Sequence, residues 1–210
     1  MIKVDPRVIK TRNKLREAFL DLLKTHKLSQ MNVKDVTNSA RVTRGTFYLH
    51  FKDKTEFVHV MMESLIEDFV QALTTQSNKS SSSLSDDLSD TQPTAEYPVI
   101  YLQNAFDFAE QHPTFISALL TEEARPYFLV IKNKLGELIQ EYMSFQEKSN
   151  KKYPEDLLYS YLTYTLIGGL NSWLKEGKIY AKGYMAQNVY DILQSNMIHD
   201  LHLTEFFQIS

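Results

Sequence analysis

Cysteine is absent from the 210 residues. No disulfide can form and no thiolate can hold a metal, which fits a reducing compartment. No run of about 18 apolar residues occurs, so no membrane span and no membrane partner is expected. No apolar segment follows Met1, so no signal peptide is expected, and the expected location is the cytoplasm. The motifs that carry common catalysis are also missing: H-E-x-x-H, G-x-S-x-G, a Walker loop and G-x-G-x-x-G. The chain therefore does not read as an enzyme, and no cofactor is expected. His199, Asp200 and His202 have metal-ligand spacing, but near the end of the chain they read as a solvated tail, so no metal site is assigned. No internal repeat and no convincing strand is visible.

The charge is distributed unevenly. Residues 1–54 carry 13 Lys+Arg and 5 Asp+Glu, a balance of +8, whereas residues 55–210 carry 10 and 21, a balance of −11. The net −3 hides a basic head on an acidic body. That asymmetry is expected when one end meets nucleic acid.

The basic segment contains the most structured sequence signal, Asn32 to Phe57. Asn32 can cap a helix, with Asp35 in its first turn favouring the positive helix end. Val33, Val36 and Ala40 recur at helical spacing. Thr43 caps a second helix, and Val42 and Phe47 occupy the two positions of a hydrophobic staple. Two helices joined by a short turn make a helix-turn-helix, whose second helix can enter the major groove. Thr43, Arg44 and Thr46 are donors near that helix's N-terminus. Gly45 permits close backbone approach. Tyr48 and His50 can donate to phosphates, while Phe47 and Phe51 face inward. Asp53 and Glu56 read as a capping box for the next helix, with Lys54 on its first turn. The candidate DNA-binding set is Asn32, Thr43, Arg44, Gly45, Thr46, Tyr48, His50 and Lys54.

The string V-x-x-V-x-x-x-A-x-V-T-R-G-T-F-Y-x-H-F-x-D-K, from Val33 to Lys54, resembles the DNA-binding domain of the tetracycline-repressor (TetR) family. The resemblance covers about the first quarter of the chain. Arg41 stands where the family usually has Gly. If the turn needs a positive φ there, Arg carries a strain of order 1 kcal/mol.

The remainder predicts helices. Asp5-Pro6 starts one that runs to about Lys24, with Leu15, Phe19, Leu22 and Leu23 on one stripe. Lys54 to about Leu73 is another, with Phe57, Met61, Leu65, Phe69 and Leu73 every four residues. Residues 77–94 are Ser- and Asp-rich and read as a flexible linker. Further helices are expected over Ala95–Gln111, Thr114–Leu120, Arg125 to about Ser149, Pro154 to about Lys175, and Ala181 to about Met197. The fold class is all-α: a three-helix helix-turn-helix domain (1–54), a connecting helix (55–76), the linker (77–94) and a C-terminal helical ligand-binding and dimerisation domain (95–210).

The resemblance implies three further expectations. The last two helices would pack into a four-helix homodimer interface, drawing on Tyr161, Thr165, Gly168, Gly169, Ser172, Met185, Val189 and Ile192. Tyr101, Phe108, Phe115, Arg125, Tyr127, Phe128, Tyr164 and Trp173 would surround a small apolar or aromatic effector. The whole would be a repressor released by that effector from an inverted-repeat operator in double-stranded DNA. The alternative is an adaptor or coactivator of the same fold that acts through a protein partner.

Overall fold

In the computed structural model, residues 5–75, 97–145 and 153–194 are described. These residues form nine α-helices and one 3₁₀ turn, with no strand among them. The linker at 77–94 and the His199–His202 pair lie outside the described residues. The helices are α1 (Pro6–Leu23), α2 (Val33–Ala40), α3 (Arg44–Tyr48), α4 (Lys54–Thr74), α5 (Leu102–Gln111), α6 (Pro113–Ala118), α7 (Arg125–Phe145), α8 (Glu155–Lys175) and α9 (Lys182–Gln194), and the 3₁₀ turn is Glu122–Ala124. The all-α expectation is met. Contacts divide the chain into two compact units: residues 1–70 with 112–131, and residues 71–111 with 132–210.

Local chemistry explains most helix ends in the first unit. Asp5 accepts the N–H of Arg7 at 2.8 Å, and Pro6 follows at the first helical position, where its missing N–H costs nothing. Asn32 accepts the N–H of Asp35 at 3.0 Å, and Thr43 accepts that of Thr46 at 3.0 Å. Asp53 accepts the N–H of Glu56 at 2.9 Å. The returning carboxylate of Glu56 reaches Lys52 N–H, one residue beyond the donor of a standard capping box.

Arg41 closes α2 in the left-handed region at φ 53°, ψ 48°. Its N–H donates to Asn38 O at 3.2 Å, and Val42 N–H donates to Thr37 O at 3.0 Å. These are the paired bonds of a Schellman motif, which satisfies two orphan helix carbonyls. The turn geometry is thus kept despite the missing glycine, at a cost of order 1 kcal/mol. Arg41→Gly is expected to raise the melting temperature by a few degrees, corresponding to about 0.5–1 kcal/mol. A lower melting temperature would mean that the arginine side chain stabilises more than its backbone strains.

The core of this unit is aromatic. Leu15, Phe19, Phe47, Phe57 and Leu65 are fully buried. The Phe57 ring meets Phe19 edge-on at 5.8 Å and Phe51 at 5.1 Å. Phe115, Ile116, Ala124 and Ile131, from the 112–131 segment, are also fully buried. Arg16 of α1 pairs with Asp68 of α4. Both side chains are part-exposed, so the pair adds little.

In the second unit, Phe106 meets Trp173 edge-on at 5.3 Å, and the indole N–H donates to Tyr180 O at 2.9 Å. Asn104 donates to Ala72 O in the last turn of α4 at 2.8 Å and to Thr75 O just beyond it at 2.7 Å. α5 begins at Leu102, not at Ala95 as periodicity predicts. Pro98 disfavours helix in the residue before it, and Tyr101 N–H is taken by Leu73 O at 2.8 Å. α8 ends as expected before Gly177, whose φ of +75° suits a residue without Cβ.

Candidate nucleic-acid interface

α3 is short, and its orientation is set from both ends. Thr43 caps its start, and Phe47 anchors its inner face against Phe51 and Phe57, with ring centroids at 5.6 and 5.4 Å. Opposite that anchor the helix is open. Arg44 and Gly45 are exposed, Thr46 and His50 are half-buried, and Tyr48 is 55% exposed. Among the described residues the Arg44 guanidinium, the Tyr48 hydroxyl and the His50 imidazole make no hydrogen bond. Those polar groups are therefore not spent on any described part of the fold.

The other candidates are already engaged. The hydroxyls of Thr43 and Thr46 lie 2.8 Å apart, and the first also serves the cap. Asn32 uses both ends of its amide on Asp35. Lys54, on the first turn of α4, donates to Ser29 O at 2.9 Å. Ser29 is held in turn by Glu123, whose carboxylate accepts the Ser29 N–H at 3.1 Å and the hydroxyl at 2.6 Å. Those bonds hold the Glu123 carboxyl below its usual range. Lys54 thus keeps two N–H donors, on an ammonium placed by a contact 94 residues apart in sequence. Nothing in the local sequence marks that contact. One further exposed side chain of α3's outer face, Leu49, is absent from the sequence-derived set, although its position two residues after Phe47 was the available signal.

The residues expected around an effector fall in both compact units. Phe115, Arg125, Tyr127 and Phe128 belong to the first, and Tyr101, Phe108, Tyr164 and Trp173 to the second. Phe115, Phe128, Phe108 and Trp173 are buried, Tyr101 and Tyr127 half-buried, and Arg125 and Tyr164 exposed. Tyr127 faces the His59 ring at 6.1 Å, and burial followed by the nearby Glu63 raises its pKa.

The residues expected at a dimer interface also divide. A Cβ on Gly169 would lie 3.3 Å from Val189 Cγ2, and Val189 is buried, so these two positions pack α8 on α9 within one chain. Among the described residues, Gly168 has no neighbour within 4 Å of its Cβ position. Tyr161 and Ser172 are exposed, while Thr165, Met185 and Ile192 are half-buried.

A capped helix-turn-helix on a basic N-terminal segment, followed by a C-terminal part that is helical among the described residues, defines the class of helix-turn-helix proteins. The comparisons agree. Residues 15–61 match the family model described as bacterial regulatory proteins, tetR family, and residues 96–195 match one described as transcriptional regulator C-terminal region. The chain is 31% identical over 83 residues to the uncharacterized HTH-type transcriptional regulator YxbF of Bacillus subtilis (strain 168). That match covers 39% of this chain and 22% of YxbF, so the chain spans about a fifth of the length of that curated relative. A TetR transcriptional regulator from Streptococcus agalactiae 2603V shares the fold with a TM-score of 0.56 and 23% identity, over 90% of this chain and 96% of that one. The fatty acid degradation regulator FadR from Bacillus halodurans does so with a TM-score of 0.62 and 16% identity, over 92% and 97%. The chain belongs to the tetR family of bacterial regulatory proteins. That family comprises transcription factors and not enzymes.

Proposed function

We propose that this chain is a homodimeric transcriptional regulator that binds an inverted-repeat operator through α3 and is released by a small apolar or aromatic effector. One observation carries the reading: Arg44 and Tyr48 on α3 and His50 in the turn after it present hydrogen-bonding groups that have no partner among the described residues, on a helix anchored from inside by Phe47. The surrounding segment, residues 1–54, has a balance of +8, which suits a phosphate backbone. Arg44 reads a base edge, and Tyr48, His50 and Lys54 hold phosphates. Thr43 and Asn32 act by capping the two helices that present them. A single short helix reads few base pairs, so two heads related by a twofold axis supply the specificity of an operator. Tyr161, Thr165, Gly168 and Ser172 on α8 are the face offered to a second copy. Repression, cytoplasmic location and effector release follow family behaviour. Arg41 supports this reading to the extent that its left-handed backbone keeps the turn between α2 and α3 closed.

The test is titration of the purified chain with the duplex upstream of its own gene. Binding should weaken by roughly 10³-fold or more between 50 and 200 mM salt if two heads together release six or more counterions. Light scattering should give the mass of a dimer. A compound that raises the melting temperature saturably should release the duplex at the same concentrations. A strictly monomeric chain that binds no duplex at 50 mM salt would end this reading.

A further inference from the structure

Leu49 follows α3 directly and is 85% exposed, the highest value among the exposed large hydrophobic side chains of the described residues. At about 100° per residue it lies about 160° around the helix from Phe47. Gly45, four residues earlier, shares that outermost face. Among the described residues a Cβ at Gly45 would touch only Thr43 Oγ1, at 3.7 Å, an ordinary contact that makes no demand for glycine there. The ridge of α3 is thus one position with no side chain and one apolar side chain, flanked by the polar Tyr48 and Thr46.

We propose that Leu49 is a specificity-determining residue that packs on the C5-methyl group of a thymine in the major groove, with Gly45 letting the duplex approach the helix closely. The inference rests on the DNA-binding reading above and deepens it. Leucine has no donor or acceptor, so it cannot read the polar code of a base edge. Thymine is the one base that presents an apolar group there, and contact with that methyl distinguishes it from the other three. An isolated exposed leucine is unremarkable on most surfaces. This one stands beside the exposed Tyr48 on the side of α3 turned away from the Phe47 anchor, in a segment of positive balance.

The experiment uses the full chain and the duplex it enriches most from a random pool. Each thymine of one half-site is replaced in turn by deoxyuridine, which removes only the methyl group. At one position the wild-type chain should bind about fourfold more weakly, the factor for losing one methyl from an apolar contact. Leu49→Ala should bind the thymine and uracil duplexes equally, while its melting temperature stays at the wild-type value because the side chain is solvent-exposed. The proposal is overturned if no deoxyuridine substitution matters to the wild type, or if Leu49→Ala loses the same factor at the same position. Enrichment of no duplex at all by the wild type would instead sink the DNA-binding reading itself.

Discussion

Arg44→Ala is expected to weaken operator binding roughly 10- to 100-fold at fixed salt, corresponding to about 1–3 kcal/mol. Arg44 is exposed at the first position of α3, and its guanidinium has no hydrogen-bond partner among the described residues. A planar fork of donors held at the tip of a recognition helix matches the O6 and N7 acceptors of guanine. Removing it should relax the preference at one base position of each half-site. Arg44→Lys should fall between the two, because it keeps the charge and loses the fork. Neither change removes a buried contact, so thermal stability should move by less than about 0.5 kcal/mol. The measurement is binding to a panel of single-base operator variants. An equal loss on every sequence would reassign Arg44 from a base to a phosphate. Tyr48→Phe is the matching control, since loss of a phosphate donor weakens all duplexes alike.

Phe47→Ala is expected to cost about 3–5 kcal/mol of stability. Phe47 is fully buried and its ring touches Phe51, Phe57 and Tyr48. Deleting it leaves a cavity at the point where α3 is anchored. A loss of that size approaches the whole stability of a small domain. Urea unfolding should show a lower midpoint, and duplex binding should disappear even at low salt. Two residues further on, Leu49→Ala should leave the midpoint unchanged. If Phe47→Ala kept a wild-type midpoint, the aromatic cluster would not be what orients α3, and the account of how Arg44 is presented would fail.

Several features were legible in the chain because their causes are local. Asn32, Thr43 and Asp53 cap their helices as their residue types dictate, since a cap needs only a side-chain oxygen within three residues of a free N–H. Phe57, Met61, Leu65, Phe69 and Leu73 are all buried, because a four-residue spacing keeps successive positions adjacent on a strip that winds slowly around α4. Periodicity alone starts α5 at Ala95, but Pro98 disfavours helix at Tyr97, and the Tyr101 N–H is taken by Leu73 O, a contact that local sequence does not reveal; α5 begins at Leu102.

The amino-acid sequence by itself determined the order of the helices, their caps, the helix-turn-helix and the positive head, all of which depend on neighbours within about two helical turns. The tertiary structure alone decided three things: that residues 112–131 join the compact unit of the head, that Glu123 holds Ser29 and through it Lys54, and that Gly169 meets Val189 inside one chain. Such contacts depend on which faces meet after the loops between them close, and periodicity along a helix carries no record of that choice.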